Sequence, residues 1–258
     1  MALRPAANTP VSGLPLKILL PNMITVAGLC AGVSAVRFAA QGRWETAVIA
    51  ILVAALCDGL DGRIARLLRG NSQFGAELDS LADMVSFGIA PAIVVYFWTF
   101  EGVKFGWTVC LMYVVCAALR LARFNTRIDA RDLPPHASNF FVGVPTPAAA
   151  LVVLMPLMFS FELTHTSLHN PLLNGIILVC VALLMVSRVP TLAFKKFRLP
   201  YLAVLPVFLG VAFGAGMLLS QPFLTLGSLG AIYLLLLPVG VVLYRRLDKK
   251  SAAAPHTP

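Results

Sequence analysis

Charge is scarce in this sequence. Only 12% of its 258 residues are Asp, Glu, Lys or Arg, about half the ~25% typical of soluble domains. That shortage excludes an ordinary water-facing globule. The five cysteines, Cys30, Cys57, Cys110, Cys116 and Cys180, form no CxxC pair and lie in apolar text, so buried packing is their expected role. The four histidines, His136, His165, His169 and His256, are scattered, which argues against a zinc site. The net charge of +9 comes without a basic stripe interleaved with aromatics, so no nucleic-acid partner is expected. The first 22 residues lack a long apolar run ending at small residues, and no removable signal peptide is expected. What fills the chain instead is hydrocarbon: 59% of residues are hydrophobic and the mean hydropathy is +0.87.

A membrane-spanning helix needs about 20 apolar residues. Hydropathy and Pro/Gly punctuation predict an all-α polytopic bundle of about eight helices, over 21–40, 44–69, 77–100, 106–126, 145–162, 171–187, 200–219 and 224–244. Residues 1–20 read as a cytoplasmic lead, 21–244 as one transmembrane catalytic domain, and 245–258 as a polar, frayed cytoplasmic tail. Charge tests the map. With the N-terminus inside, seventeen of the 20 basic residues fall on the cytoplasmic side, from Arg4 and Lys17 through the 63–69, 120–131 and 188–198 clusters to 245–250. Only Arg37, Arg43 and Lys104 fall outside. That asymmetry is what the positive-inside rule requires, and it predicts both termini in the cytoplasm.

One stretch breaks the apolar pattern. Residues 57–88 hold Asp58, Asp61, Glu77, Asp79 and Asp83, five of the 11 acidic residues in the chain. Asp58 and Asp61 are three apart, Asp79 and Asp83 four apart; both spacings put side chains on one helical face. A hairpin through Gly70 and Gly75 would turn the two faces together. Carboxylates converging near hydrocarbon are costly unless paired or metal-bound. Hard oxygen donors suit Mg2+ or Mn2+, one ion or two. Gly62 and Gly75 would let a phosphate approach the backbone, Ala65 keeps that face small, and Arg66 supplies a cation for a phosphate or an aspartate. The plainer alternative is that the aspartates cap helix ends and pair with Arg63, Arg66 and Arg69.

The spacing Asp58-x2-Asp61-Gly62-x2-Ala65-Arg66-x8-Gly75-x3-Asp79-x3-Asp83 resembles the complete motif of the CDP-alcohol phosphotransferases. Four weaker segments, PNMIT at 21–25, SFGIAPA at 86–92, LRLARFN at 119–125 and GVPTPAAA at 143–150, resemble the branch of that family that uses serine as acceptor. The resemblance implies transfer of a phosphatidyl group from CDP-diacylglycerol to the hydroxyl of L-serine, with loss of CMP. It implies Asp58, Asp61, Asp79 and Asp83 as metal ligands, Asp83 as the base, and Gly62, Ala65, Arg66 and Gly75 around CDP. It also implies a homodimer. The lack of a signal peptide and of disulfide logic suits a bacterial cytoplasmic membrane, and the basic asymmetry puts the acidic cluster on its cytoplasmic side.

Other residues stay open between two readings. Arg120, Arg123 and Arg127 share a helical face and suit the acceptor's carboxylate or a lipid phosphate; membrane anchoring is the alternative. Asn22 and Thr25 either touch the nucleotide or cap the first helix. Pro145, Thr146 and Pro147 either only shape the start of a helix or also have a role in the pocket. Gly28 with Gly32, and Gly210 with Gly214, have GxxxG spacing, which suggests close packing within one bundle. Sibling enzymes using glycerol 3-phosphate, inositol phosphate or choline share the CDP motif. An ion-coupled carrier is a rival of another class, but the sequence lacks repeated halves and its carboxylates cluster at one edge.

Overall fold

The computed structural model describes residues 16–68, 72–126, 140–163, 166–187, 189–192 and 204–252. The chain is a bundle of apolar helices. α1 is Leu16–Ala40, α2 Trp44–Leu68, α3 Gln73–Asp83, α4 Ala90–Val95, α5 Gly106–Asn125, α6 Thr146–Glu162, α7 Pro171–Val186, α8 Val204–Ser220 and α9 Pro222–Ala252. Two π-helical stretches, Met84–Ile89 and Tyr96–Phe100, extend α3 and α4 into one rod over Gln73–Phe100. Among the described residues eight rods therefore stand where eight were expected. Three of them, Leu19–Ala40, Gln73–Phe100 and Gly106–Asn125, are long and apolar enough to cross a bilayer, and four more are shorter and apolar. Large side chains such as Leu67, Phe74, Leu172 and Phe213 stand exposed on the surface. An apolar exterior of this extent belongs in lipid rather than water.

Several helix ends differ from expectation. The first helix starts at Leu16, not at Pro21, which lies inside it. Pro21 stands in the second turn and removes one backbone bond, the one its N–H would make to the Lys17 carbonyl. The third rod starts at Gln73, four residues earlier than expected, because Ser72 caps it: its hydroxyl accepts from the Gly75 amide at 3.0 Å. Gly75 thus sits in the first helical turn, not in a hairpin. The last helix continues to Ala252, so the stretch from Arg245 to Ala252 is helical rather than a frayed tail. Residues 1–15, 69–71, 127–139, 164–165, 188, 193–203 and 253–258 lie outside the described residues, and with them Gly70, Arg127 and the expected start of the seventh helix at 200.

α1 packs along α2, and both pack on the rod begun by α3. Gly28 and Gly32 make that approach possible. A Cβ on Gly28 would lie 3.0 Å from the Cys57 Cβ, and one on Gly32 would lie 2.9 Å from the Ser86 Cα. The core runs from Val48 through Val94, Val95 and Tyr113 to Leu154, Leu157, Leu178 and Met185, all buried. The buried Tyr113 hydroxyl of α5 donates to the carbonyl of Phe87, inside the π stretch after Asp83, at 3.0 Å. A three-residue ribbon, β1 (Phe140–Val142) antiparallel to β2 (Pro190–Leu192), ties the approach to α6 to the exit from α7.

Candidate functional site

The second and third rods bring their carboxylates together as the spacing requires. Asp58, Asp61 and Asp79 each offer an oxygen, and these oxygens lie within 4.8 Å of one another. Asp61 is buried, and the Thr25 hydroxyl of α1 donates to its Oδ2 at 2.6 Å. Thr25, well inside α1, is not a helix cap, and its hydroxyl fixes the orientation of Asp61. Asp83 stands outside the trio. It lines a narrow cleft of about 10 Å³ with Asp58, Asp61 and Asp79, closed by Thr25, Gly28 and Phe87. The four expected ligands thus divide into three that converge and one beside them. Like charges at this separation repel in a low-dielectric setting. A divalent ion held by carboxylate oxygens removes that repulsion, and the donor set is the hard one such ions take.

Beside the trio opens a cavity of about 500 Å³. Its wall includes every non-acidic motif position: Gly62, Ala65, Arg66 and Gly75. Asn22 and Thr25 of α1, Asp61 and Asp79 of the trio and Phe124 of α5 also line it. The two motif glycines serve different ends. A Cβ on Gly62 would meet nothing within 4 Å, so that backbone stays open to a ligand. A Cβ on Gly75 would lie 2.8 Å from Asn22 Oδ1, so this glycine lets α1 and α3 close and admits the Asn22 amide to the wall. Asn22 is the seventh residue of α1, too far in to be its cap. Arg66 donates Nε to the Gly62 carbonyl at 2.9 Å, one turn back on its own helix. That bond holds the guanidinium along the cavity wall.

The basic face of α5 separates in the structure. Arg120 is half-buried, with Asp83 as a charged neighbour. Its Nη1 donates to the Thr146 hydroxyl at 3.2 Å. Arg123 reaches the end of α7, donating to the Val186 carbonyl at 3.0 Å and the Ser187 carbonyl at 3.3 Å. Orphan carbonyls at a helix C-terminus favour such a cation. Arg123 is thus a helix brace.

The family model described as CDP-alcohol phosphatidyltransferase matches residues 18–187, and a second, CDP-alcohol phosphatidyltransferase 2, matches residues 203–238. The chain belongs to the CDP-alcohol phosphatidyltransferase family. Among curated relatives, a CDP-diacylglycerol–serine O-phosphatidyltransferase of Mycobacterium leprae is 36% identical over 86% of this chain and 74% of its own. Proteins of the same name are 31% identical in Helicobacter pylori, over 76% of this chain and 81% of theirs, and 34% identical in Bacillus subtilis, over 69% and 92%. Divalent metal is general in this family, and the three converging carboxylates fit such an ion. The family match also covers the segments carrying Thr25, Tyr113 and Thr146, whose contacts the sequence did not disclose. Thr25 and Thr146 lie within PNMIT and GVPTPAAA, so the motifs flagged them without their roles. Tyr113 carried no signal beyond a polar atom in an apolar helix.

Proposed function

We propose that the protein transfers the phosphatidyl group of CDP-diacylglycerol to the hydroxyl of L-serine and releases CMP. The observation that carries this reading is the carboxylate trio at the edge of a cavity whose wall holds the remaining CDP-motif residues. The names of the mycobacterial, Helicobacter and Bacillus relatives support serine as the acceptor.

In this reading Asp58, Asp61 and Asp79 hold the divalent metal, with Asp83 at its margin. Mg2+ or Mn2+ bound there would neutralise the donor's diphosphate and the charge developing on the leaving CMP. Gly62 and Ala65 leave room for the diphosphate, and Arg66 and the Asn22 amide meet the polar part of CDP. Asp83 accepts the proton of the serine hydroxyl, whose oxygen forms a bond to the lipid-side phosphorus as the bond to CMP breaks. Arg120 receives the serine carboxylate. Direct displacement needs no covalent enzyme intermediate, so the kinetics are sequential.

The topology belongs to the same proposal. Residues 21–244 form one catalytic membrane domain with eight spans, both termini and the active site facing the cytoplasm, in a bacterial inner membrane. The basic asymmetry of the sequence supports it. A homodimer rests on the family resemblance.

The test is an acceptor panel. Membranes carrying the protein, given CDP-diacylglycerol with Mg2+ or Mn2+, release CMP when serine is added. Release only with glycerol 3-phosphate, inositol phosphate or choline would assign a sibling activity. Full turnover by a folded Asp83→Asn variant would overturn the assignment of the base.

A further inference from the structure

We infer that Thr146 is a positioning residue that aims the Arg120 guanidinium at the acceptor's carboxylate, so that the pair selects amino-acid alcohols over alcohols without a carboxylate. The inference rests on the serine reading above and adds to it the residue that sets the direction of Arg120.

Thr146 opens α6 and is 1% exposed. Its hydroxyl accepts from Arg120 Nη1, while Arg120 Nε is buried and has no hydrogen-bond partner. A guanidinium presents its donors in a planar fork, and a carboxylate is bound best by two parallel donors. With Nη1 engaged by Thr146, the edge left for a bidentate ligand is the one formed by Nε and Nη2. A buried charged donor left unmade is costly, and a ligand carboxylate would satisfy it. Asp83, the proposed base, is a charged neighbour of the same guanidinium. A carboxylate held on Arg120 therefore keeps a short amino alcohol close to the base.

The position of Thr146 is itself braced. Pro145 and Pro147 flank it and restrict the backbone at the helix start. Gly143, three residues earlier, has φ +76, and a Cβ there would lie 2.7 Å from the Met185 carbonyl and 3.0 Å from that of Ser187. Val144 N–H donates to the Leu184 carbonyl at 3.4 Å. Arg123, one turn beyond Arg120, grips the same end of α7. The α6 start and the α5 arginines are thus tied to one anchor. This gives GVPTP a use in orienting a side chain, beyond starting a helix.

The experiment measures steady-state CMP release by the purified full-length protein in mixed micelles of CDP-diacylglycerol with Mg2+ or Mn2+. Serine and ethanolamine, which lacks the carboxylate, are the acceptors. Thr146→Val is expected to raise the serine KM about tenfold, the effect of losing one charge-assisted hydrogen bond. The KM for CDP-diacylglycerol should hold, and the preference for serine over ethanolamine should shrink. Thr146→Ser, which keeps the hydroxyl, should restore the serine KM. Should Thr146→Val fail to fold, Arg120→Lys, which keeps the charge and loses the fork, is expected to show the same selective rise. An unchanged serine KM, an equal rise for both substrates, or no rescue by Thr146→Ser overturns the inference. If the wild-type protein releases no CMP with serine, the serine reading itself has failed; if it does and Thr146→Val behaves as wild type, only the role of Thr146 has failed.

Discussion

Two glycine pairs with the same spacing have opposite surroundings. Gly28 and Gly32 on α1 are pressed against Cys57 and Ser86, while a Cβ on Gly210 or Gly214 of α8 would meet nothing within 4 Å. Within the described chain the second pair does not pack, contrary to the expectation from its spacing. The difference follows from what each helix must do. α1 carries Asn22 and Thr25 to the carboxylate site and has to lie close to α2 and α3. α8 carries no polar group to any described site, and its side chains from Leu205 to Leu209 stand exposed. GxxxG permits close approach; a partner is what uses it.

The largest way to sharpen this contrast is at the catalytic end. Asp83→Asn should cut serine-dependent CMP release by roughly 10²- to 10⁴-fold, read in the same micelles, whereas Gly214→Ala should leave it unchanged. A comparable loss from Gly214→Ala would mean that α8 does serve the site. Next in size is the bond from Thr25 to Asp61. Thr25→Val keeps the shape but removes the hydroxyl, and should weaken activation by Mg2+ or Mn2+ by about 10- to 100-fold, as loss of a ligand's supporting contact does. Metal titration of CMP release checks it, and chelation of the wild type should abolish turnover that either ion restores.

The smallest effects compare the glycines directly. Gly32→Ala should destabilise by about 1–3 kcal/mol, because the new methyl meets the backbone of Ser86. Gly214→Ala should be neutral or stabilise by up to about 1 kcal/mol, since alanine is the better helix former where space is open. Thermal midpoints in one detergent decide between them. Equal destabilisation at both positions would show that α8 packs against something in the membrane.

Much of the site was legible because it is local. Asp58, Asp61, Asp79 and Asp83 announce themselves as charges in apolar text at helical spacings, and the motif positions Gly62, Ala65, Arg66 and Gly75 do share a cavity wall. The helix count followed from hydropathy. The shifted starts at Leu16 and Gln73 have local causes: Pro21 reads as a boundary but is tolerated inside α1, and Ser72 rather than Gly75 begins α3, by capping it. The role of Arg123 was hidden because its partners, the Val186 and Ser187 carbonyls, lie on a helix over 60 residues away.

The sequence by itself determined the solvent, the helical class and the acidic cluster, because burial cost and helical period act on neighbouring residues. The tertiary structure alone decided that three carboxylates converge while Asp83 stands beside them. It also decided that Thr25 holds Asp61 and that Thr146 holds Arg120. Those contacts join residues 36 and 26 positions apart, and hydrogen-bond partners at such separations are chosen by how helices pack, which no local pattern encodes.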